Sequence, residues 1–171
     1  MNSLILDEEV FAVILAITIV ASTVAIAFTL RPETVEPFTA LGLLNEECKI
    51  GDYPRTVVNG STIDLCIFVA NYMGKPVYYE VLYKIGTSEN LPSNTTPSPA
   101  EPVDKWIGVL NNKQNTTFKV KIPVYTSTLN TSEVALIFEL WLYDTSTSSW
   151  VYSGRWNHLY VNVTFPVGVS L

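Results

Sequence analysis

The sequence predicts an all-β head, an immunoglobulin-like antiparallel β-sandwich of about seven to eight strands, preceded by one N-terminal transmembrane helix. Three observations carry this. Val10 to Leu30 is a run of 21 residues without a charge or a proline. Several later segments alternate apolar and polar side chains with period two. Aromatic residues make up 12% of the chain, and with β-branched residues they favour a half-buried pleat over helix.

In order along the chain, residues 1–9 form a short acidic tail, 10–30 the span, 31–36 a linker and 37–171 the head. At about 1.5 Å rise per residue the span makes a helix of roughly 30 Å, the thickness of a bilayer's hydrocarbon core. Helix satisfies every backbone amide internally, as lipid demands. A cleaved signal peptide is the competing reading, because Ala25-Ile26-Ala27 resembles a small-x-small cleavage site. The acidic tail, and the continuation of the apolar run to Leu30, favour an uncleaved anchor. Ala12 with Ala16, and Ala21 with Ala25, place small residues four apart, a spacing that lets two helices approach closely, so self-association stays open.

Strands follow. Thr39 to Leu44 is a short apolar run. Ile63, Leu65, Ile67 and Val69 share one face, with Thr62, Asp64, Cys66, Phe68 and Ala70 on the other. Val77, Tyr79, Val81, Tyr83 and Ile85 repeat the pattern opposite Tyr78, Glu80, Leu82 and Lys84. Trp106 to Leu110 is a further run, and Phe118, Val120, Ile122 and Val124 alternate with Lys119 and Lys121. Val134, Leu136, Phe138, Leu140 and Leu142 face away from Glu139 and Tyr143, and two more strands are expected at Trp150 to Gly154 and Leu159 to Thr164. No segment of the head has the period of an amphipathic helix, so a sandwich is favoured over an α/β fold. Thr87 to Pro102, with four prolines among Ser, Thr and Asn, reads as a long exposed loop, either a connector or a partner-contacting one.

Cys48 and Cys66 are the only cysteines. In an exported chain an even pair is more often a disulfide than two idle thiols, and the loop it closes is worth roughly 3 kcal/mol by chain entropy. Two buried thiols in a reducing compartment are the alternative. Two thiols and the single, distant His158 do not make a zinc site, and Asp52, Asp64 and Asp104 lack calcium-loop spacing, so no metal or other cofactor is expected.

Three of the 16 acids precede the span, leaving 13 against all 10 bases in the remainder. A head of that charge offers no footprint for nucleic acid. Cation counting alone would place the head inside, since no Lys or Arg precedes the span and Arg31 follows it. Five N-x-S/T acceptors point outward instead: Asn59, Asn94, Asn115, Asn130 and Asn162. Chance supplies roughly two in such a composition, although the same residues also serve as turn chemistry. Strand parity puts Asn115 with Thr117 and Lys119, and sets Asn162 against Val161 and Val163, so both should face solvent.

Glu36-Pro37-Phe38-Thr39, Leu43-Leu44, Gly51-Asp52-Tyr53-Pro54, Gly60, Val69-Ala70-Asn71 and Gly74-Lys75-Pro76-Val77-Tyr78-Tyr79 follow one another in an order that resembles the head of an archaeal membrane-protein family. That family is catalogued as a domain of unknown function, number 1616. Its members usually carry more membrane segments before the head, where this chain has one. The resemblance spans about a third of the head and implies a membrane location and a β-rich fold. It implies no catalysis, because no activity is established for the family.

The residues themselves point the same way. A nucleophile–base–acid set would need His158, which sits in Arg155-Trp156-Asn157-His158 on a strand approach. P-loop and dinucleotide motifs are missing, and Glu46 and Glu47 are adjacent rather than facing. An enzyme is therefore not expected. Two readings remain. One is a tethered surface module that contacts an envelope protein, a glycan or a membrane complex through Trp141, Tyr143, Trp150, Tyr152 and Trp156, unless those rings only fill the sandwich. The other is a filament subunit resembling an archaeal pilin or motility stator, with Glu8 or Glu9 just ahead of the apolar helix.

Overall fold

A computed structural model describes residues 8–30, 36–126 and 133–165. The chain divides into two compact units, Met1–Glu36 and Pro37–Leu171. The first contains helix α1, Glu8–Thr29, which is long and apolar enough to cross a membrane. Thr18, Ser22 and Thr29 return their hydroxyl protons to the carbonyls of Ile14, Thr18 and Ala25, so these polar side chains are satisfied within the helix itself.

The second unit is a β-sandwich of eight strands: β1 Phe38–Leu44, β2 Thr56–Val58, β3 Ser61–Tyr72, β4 Val77–Gly86, β5 Pro102–Leu110, β6 Gln114–Val124, β7 Glu133–Asp144 and β8 Ser149–Thr164. One sheet has the order β1-β3-β6, the other β2-β8-β7-β4-β5. All pairings are antiparallel except β2 with β8, where Thr56 pairs Asn162 in parallel. The core is built by the expected alternation: Leu65, Ile67 and Val69 of β3, Val81 and Tyr83 of β4, Val120 and Ile122 of β6, and Leu136, Phe138 and Leu140 of β7. Fully burying each large aliphatic side chain stabilises by about 1.5–3 kcal/mol. Among the described residues, three side-chain hydrogen bonds tie strands of one sheet to strands of the other. The Tyr83 hydroxyl donates to the Pro123 carbonyl at 2.8 Å, Asn71 Nδ2 to that of Leu110 at 2.9 Å, and Asn157 Nδ2 to that of Leu41 at 2.7 Å. Burial pushes the Tyr83 phenol well above its ordinary range.

Cys48 and Cys66 are bonded, with Cα atoms 5.1 Å apart. Cys66 lies in β3 opposite Leu44, and Cys48 lies in the segment that carries the chain from β1 across to β2 in the other sheet. Asn45 shapes that turn: its side-chain oxygen accepts from the amides of Glu47 and Lys49, while Cys48 takes a left-handed backbone at φ 59°. The bond thus staples the crossover to β3, the strand beside β1.

The structure departs from or adds to the expectation at three places. Trp150 to Gly154 and Leu159 to Thr164 are one continuous strand, because Gly154, at φ +72°, lets β8 bulge rather than end. The bulge inserts two residues: Tyr152 pairs Trp141 and Arg155 pairs Leu140, and the Ser153 hydroxyl closes it on the Leu140 carbonyl at 2.6 Å. Strand β2 was not anticipated. Thr87 to Pro102 is a loop, as expected, and exposed at Ser93–Thr96, but it is held at several points: Ser88–Asn90 is a capped 3₁₀ turn, Pro102 opens edge strand β5, and the segment between lies as a strap on the five-stranded sheet.

Candidate functional site

The strap is held by charges that alternation alone would place in water. Lys84 and Glu139, on neighbouring strands and facing away from the core, pair at 3.1 Å with side chains 6% and 0% exposed. Lys84 Nζ donates to the Ser98 carbonyl at 2.7 Å, and the Ser98 amide donates to Glu139 Oε1. Trp141 Nε1 completes the carboxylate at Oε2, 3.1 Å away. Further along, the Tyr152 hydroxyl donates to the Ser93 carbonyl at 2.8 Å. At Gly154 the strap comes so close that a Cβ would stand 2.3 Å from the Asn94 carbonyl oxygen.

These contacts decide what the aromatic residues can do. Trp141, Tyr143, Trp150, Tyr152 and Trp156 all lie on the outer face of the five-stranded sheet, because a two-residue bulge preserves parity. They do not form one patch. Trp141 and Tyr152 pack with ring centroids 5.5 Å apart at a tilt of 51° and are engaged with Glu139 and the strap. Burial, and then the Glu139 carboxylate, push the Tyr152 phenol up to about 12. Tyr143 and Trp150 flank the β7–β8 turn and join Tyr78 of β4, with ring centroids 5.1–6.0 Å apart. Trp156 belongs to a ladder along β8, stacked on His158 at 5.4 Å, with His158 edge-on to Tyr160 at 4.8 Å. Desolvation holds the His158 imidazole below its ordinary value.

Tyr78, at 42% exposure, was missed by sequence reasoning, although its parity with Glu80 already set it on the outer face. Beside its cluster opens a cleft of about 640 Å³, lined by Phe38, Met73, Tyr78, Tyr143, Val151 and Arg155. A second cleft, of about 430 Å³, runs between Phe38–Leu41 and Gly154–Asn157 with Asn94 at its rim.

Among the described residues no group of three His, Cys, Asp or Glu side chains is placed to hold a metal ion. Asp52 and Asp64 share a cleft with Glu46, and Asp104 is elsewhere, on β5. Asn94, Asn115 and Asn162 are exposed. Asn59 is half-buried, and its side-chain oxygen accepts from the Thr126 amide at 2.9 Å. Asn130 lies outside the described residues.

No family model matches the chain, and no curated protein matches it. Solved structures similar to it are β-rich domains. One is the CARDB domain of a Pyrococcus furiosus protein in complex with di-metal ions, at 12% identity over 75% of this chain and 89% of that chain, TM-score 0.47. Another is native alpha-2-macroglobulin from Escherichia coli, from domain MG7 to the C-terminus, at 14% identity over 75% of this chain and 17% of that chain, TM-score 0.45. A third is an ASH/PapD-like domain of human CEP192, at 10% identity over 80% and 92%, TM-score 0.38. These likenesses concern the fold.

Proposed function

We propose that this protein is a non-enzymatic surface module: α1 anchors it in the cell membrane, and the β-sandwich stands outside the cell and contacts an envelope protein, a glycan or a neighbouring membrane complex. The observation that carries this reading is the Trp156-His158-Tyr160 ladder, half-stacked rings on an otherwise ordered sheet face that no strap residue is seen to hydrogen-bond among the described residues. Amphipathic rings fixed by their neighbours offer a large contact area at low entropic cost. Exposed sequons at Asn94, Asn115 and Asn162 support an exported head, and the disulfide supports an oxidising compartment. The resemblance of Glu36 to Val81 to the archaeal family of unknown function supports the same setting.

A photo-crosslinking residue at position 158, in living cells, tests the reading against the same residue at Lys119 on the opposite sheet. A discrete adduct at 158 and none at 119 is the expected result. Equal labelling, or none, contradicts it. The filament reading is favoured by one feature, Glu8 and Glu9 in the first turn of α1. It requires a polymer that sediments without lipid, whereas the anchored module leaves the membrane only in detergent.

A further inference from the structure

We infer that the seam between β1 and β8 binds a carboxylated polysaccharide, with Arg155 holding the sugar's carboxylate. This rests on the surface-module reading above and names the chemistry of its partner.

Strand pairing leaves the seam open. β1 pairs only with β3, and β2 pairs with β8 only at Asn162, Val163 and Thr164, so most of that margin of β8 has no strand beside it. Val151 lies across from Leu142, and Arg155 across from the fully buried Leu140, at positions whose parity faces the core. Yet Val151 is 47% exposed, and Arg155 is exposed as well. The bulge fixes the arginine there, because the Ser153 hydroxyl accepts from the Arg155 amide at 3.2 Å. Bulges commonly re-aim a side chain beside a functional site. Both clefts run along this seam, and Phe38, Thr39 and Arg155 line both, so the two meet at Arg155. Asn115, an exposed sequon on β6 of the other sheet, is outside their lining.

Charge selects an anion. In a head with more acids than bases, the larger cleft carries two cations, Arg155 and Lys75, against one carboxylate, Asp144. Asp144 is engaged in its own turn, where Oδ1 accepts from the Ser146 amide at 2.8 Å and the Ser146 hydroxyl at 2.6 Å. Among the described residues neither cation is in an ion pair. A planar guanidinium meets a carboxylate with two parallel N–H···O bonds. The walls select a sugar to carry it. Phe38 stacks on Tyr72 and is still 38% exposed, while Tyr78 packs with Tyr143 and Trp150 and is 42% exposed. Ring faces suit the apolar C–H face of a pyranose, and phenol tips suit its hydroxyls. A uronate polymer offers that face and a carboxylate in every residue.

Calorimetric titration of the full chain tests this, in a polyoxyethylene detergent that carries no sugar. The probes are oligogalacturonate, its methyl ester and poly-glutamate. Expected is binding of oligogalacturonate, with the neutral ester and the acidic peptide each at least about tenfold weaker. Arg155→Gln should weaken oligogalacturonate about tenfold, Arg155→Lys, which keeps the charge and loses the fork, by less, and Lys119→Gln on the other sheet not at all. Absence of binding, equal binding of the ester, or an Arg155→Gln loss below about twofold overturns the inference. Poly-glutamate binding as tightly as oligogalacturonate assigns the seam to an acidic peptide and also overturns it. The surface-module reading is judged separately by the crosslink at position 158: an adduct there with oligogalacturonate unbound keeps the module and removes the polysaccharide.

Discussion

Gly154→Ala is the sharpest probe of the strap, and Gly60→Ala is its internal control. Both glycines hold a positive φ, +72° and +82°, a backbone that costs an L side chain about 1–2 kcal/mol. A Cβ at Gly60 meets nothing within 4 Å, whereas at Gly154 it meets the Asn94 carbonyl oxygen at 2.3 Å and its carbon at 3.3 Å. Backbone cannot swing aside like a side-chain tip, so overpacking adds about 1–3 kcal/mol at Gly154 only. Gly60→Ala should therefore lose about 1–2 kcal/mol and Gly154→Ala about 2–5. Urea unfolding of the purified chain, followed by tryptophan fluorescence, measures both. Limited proteolysis should also open Ser93–Ala100 in Gly154→Ala and not in Gly60→Ala. If the two variants agree to within about 0.5 kcal/mol, the strap is not packed against β8 and the account of that face is wrong.

Lys84→Met should destabilise by about 3–5 kcal/mol in the same assay, because it strands the Glu139 carboxylate in a dry site; a loss below about 1 kcal/mol would mean the site is wet. Cys48→Ser should cost roughly 3 kcal/mol under oxidising conditions, and added reductant should bring the wild type down to the variant. His158 supplies a pH signature. Its imidazole is held below its ordinary 6.5 in the folded head, so as pH falls below 6.5 the unfolded chain takes up the proton first. Stability should fall across that window and level off below the lowered native value, and His158→Asn should flatten the slope there.

Much of this architecture is legible in the residues, and the rest is hidden for physical reasons. Runs such as Ile63 to Val69 announce their faces because one side is buried at Leu65, Ile67 and Val69 and half-buried at Ile63. The disulfide is the bond expected of a single even pair of cysteines, Cys48 and Cys66. Thr56–Val58 is too short to show a period, and its pairing is with β8, more than 100 residues away. Gly154 looks like a strand end to any local rule; only the Asn94 backbone above it explains why a glycine stands in mid-strand. The strap is invisible because its anchors, Lys84, Glu139 and Tyr152, come from three strands, and a charge at an outward position ordinarily means solvent. The aromatic set was found by residue type. Its division among strap, turn and ladder depends on register, which no local pattern contains.

The claim on which the account turns is that the head lies outside the cell. A membrane-impermeant amine reagent applied to intact cells, with labelled lysines identified by mass spectrometry, tests it most directly. The account predicts labelling at the exposed Lys75, Lys119 and Lys121 before lysis, with buried Lys84 unlabelled both before and after as proof that the head stayed folded. Labelling of those three lysines only after lysis contradicts it.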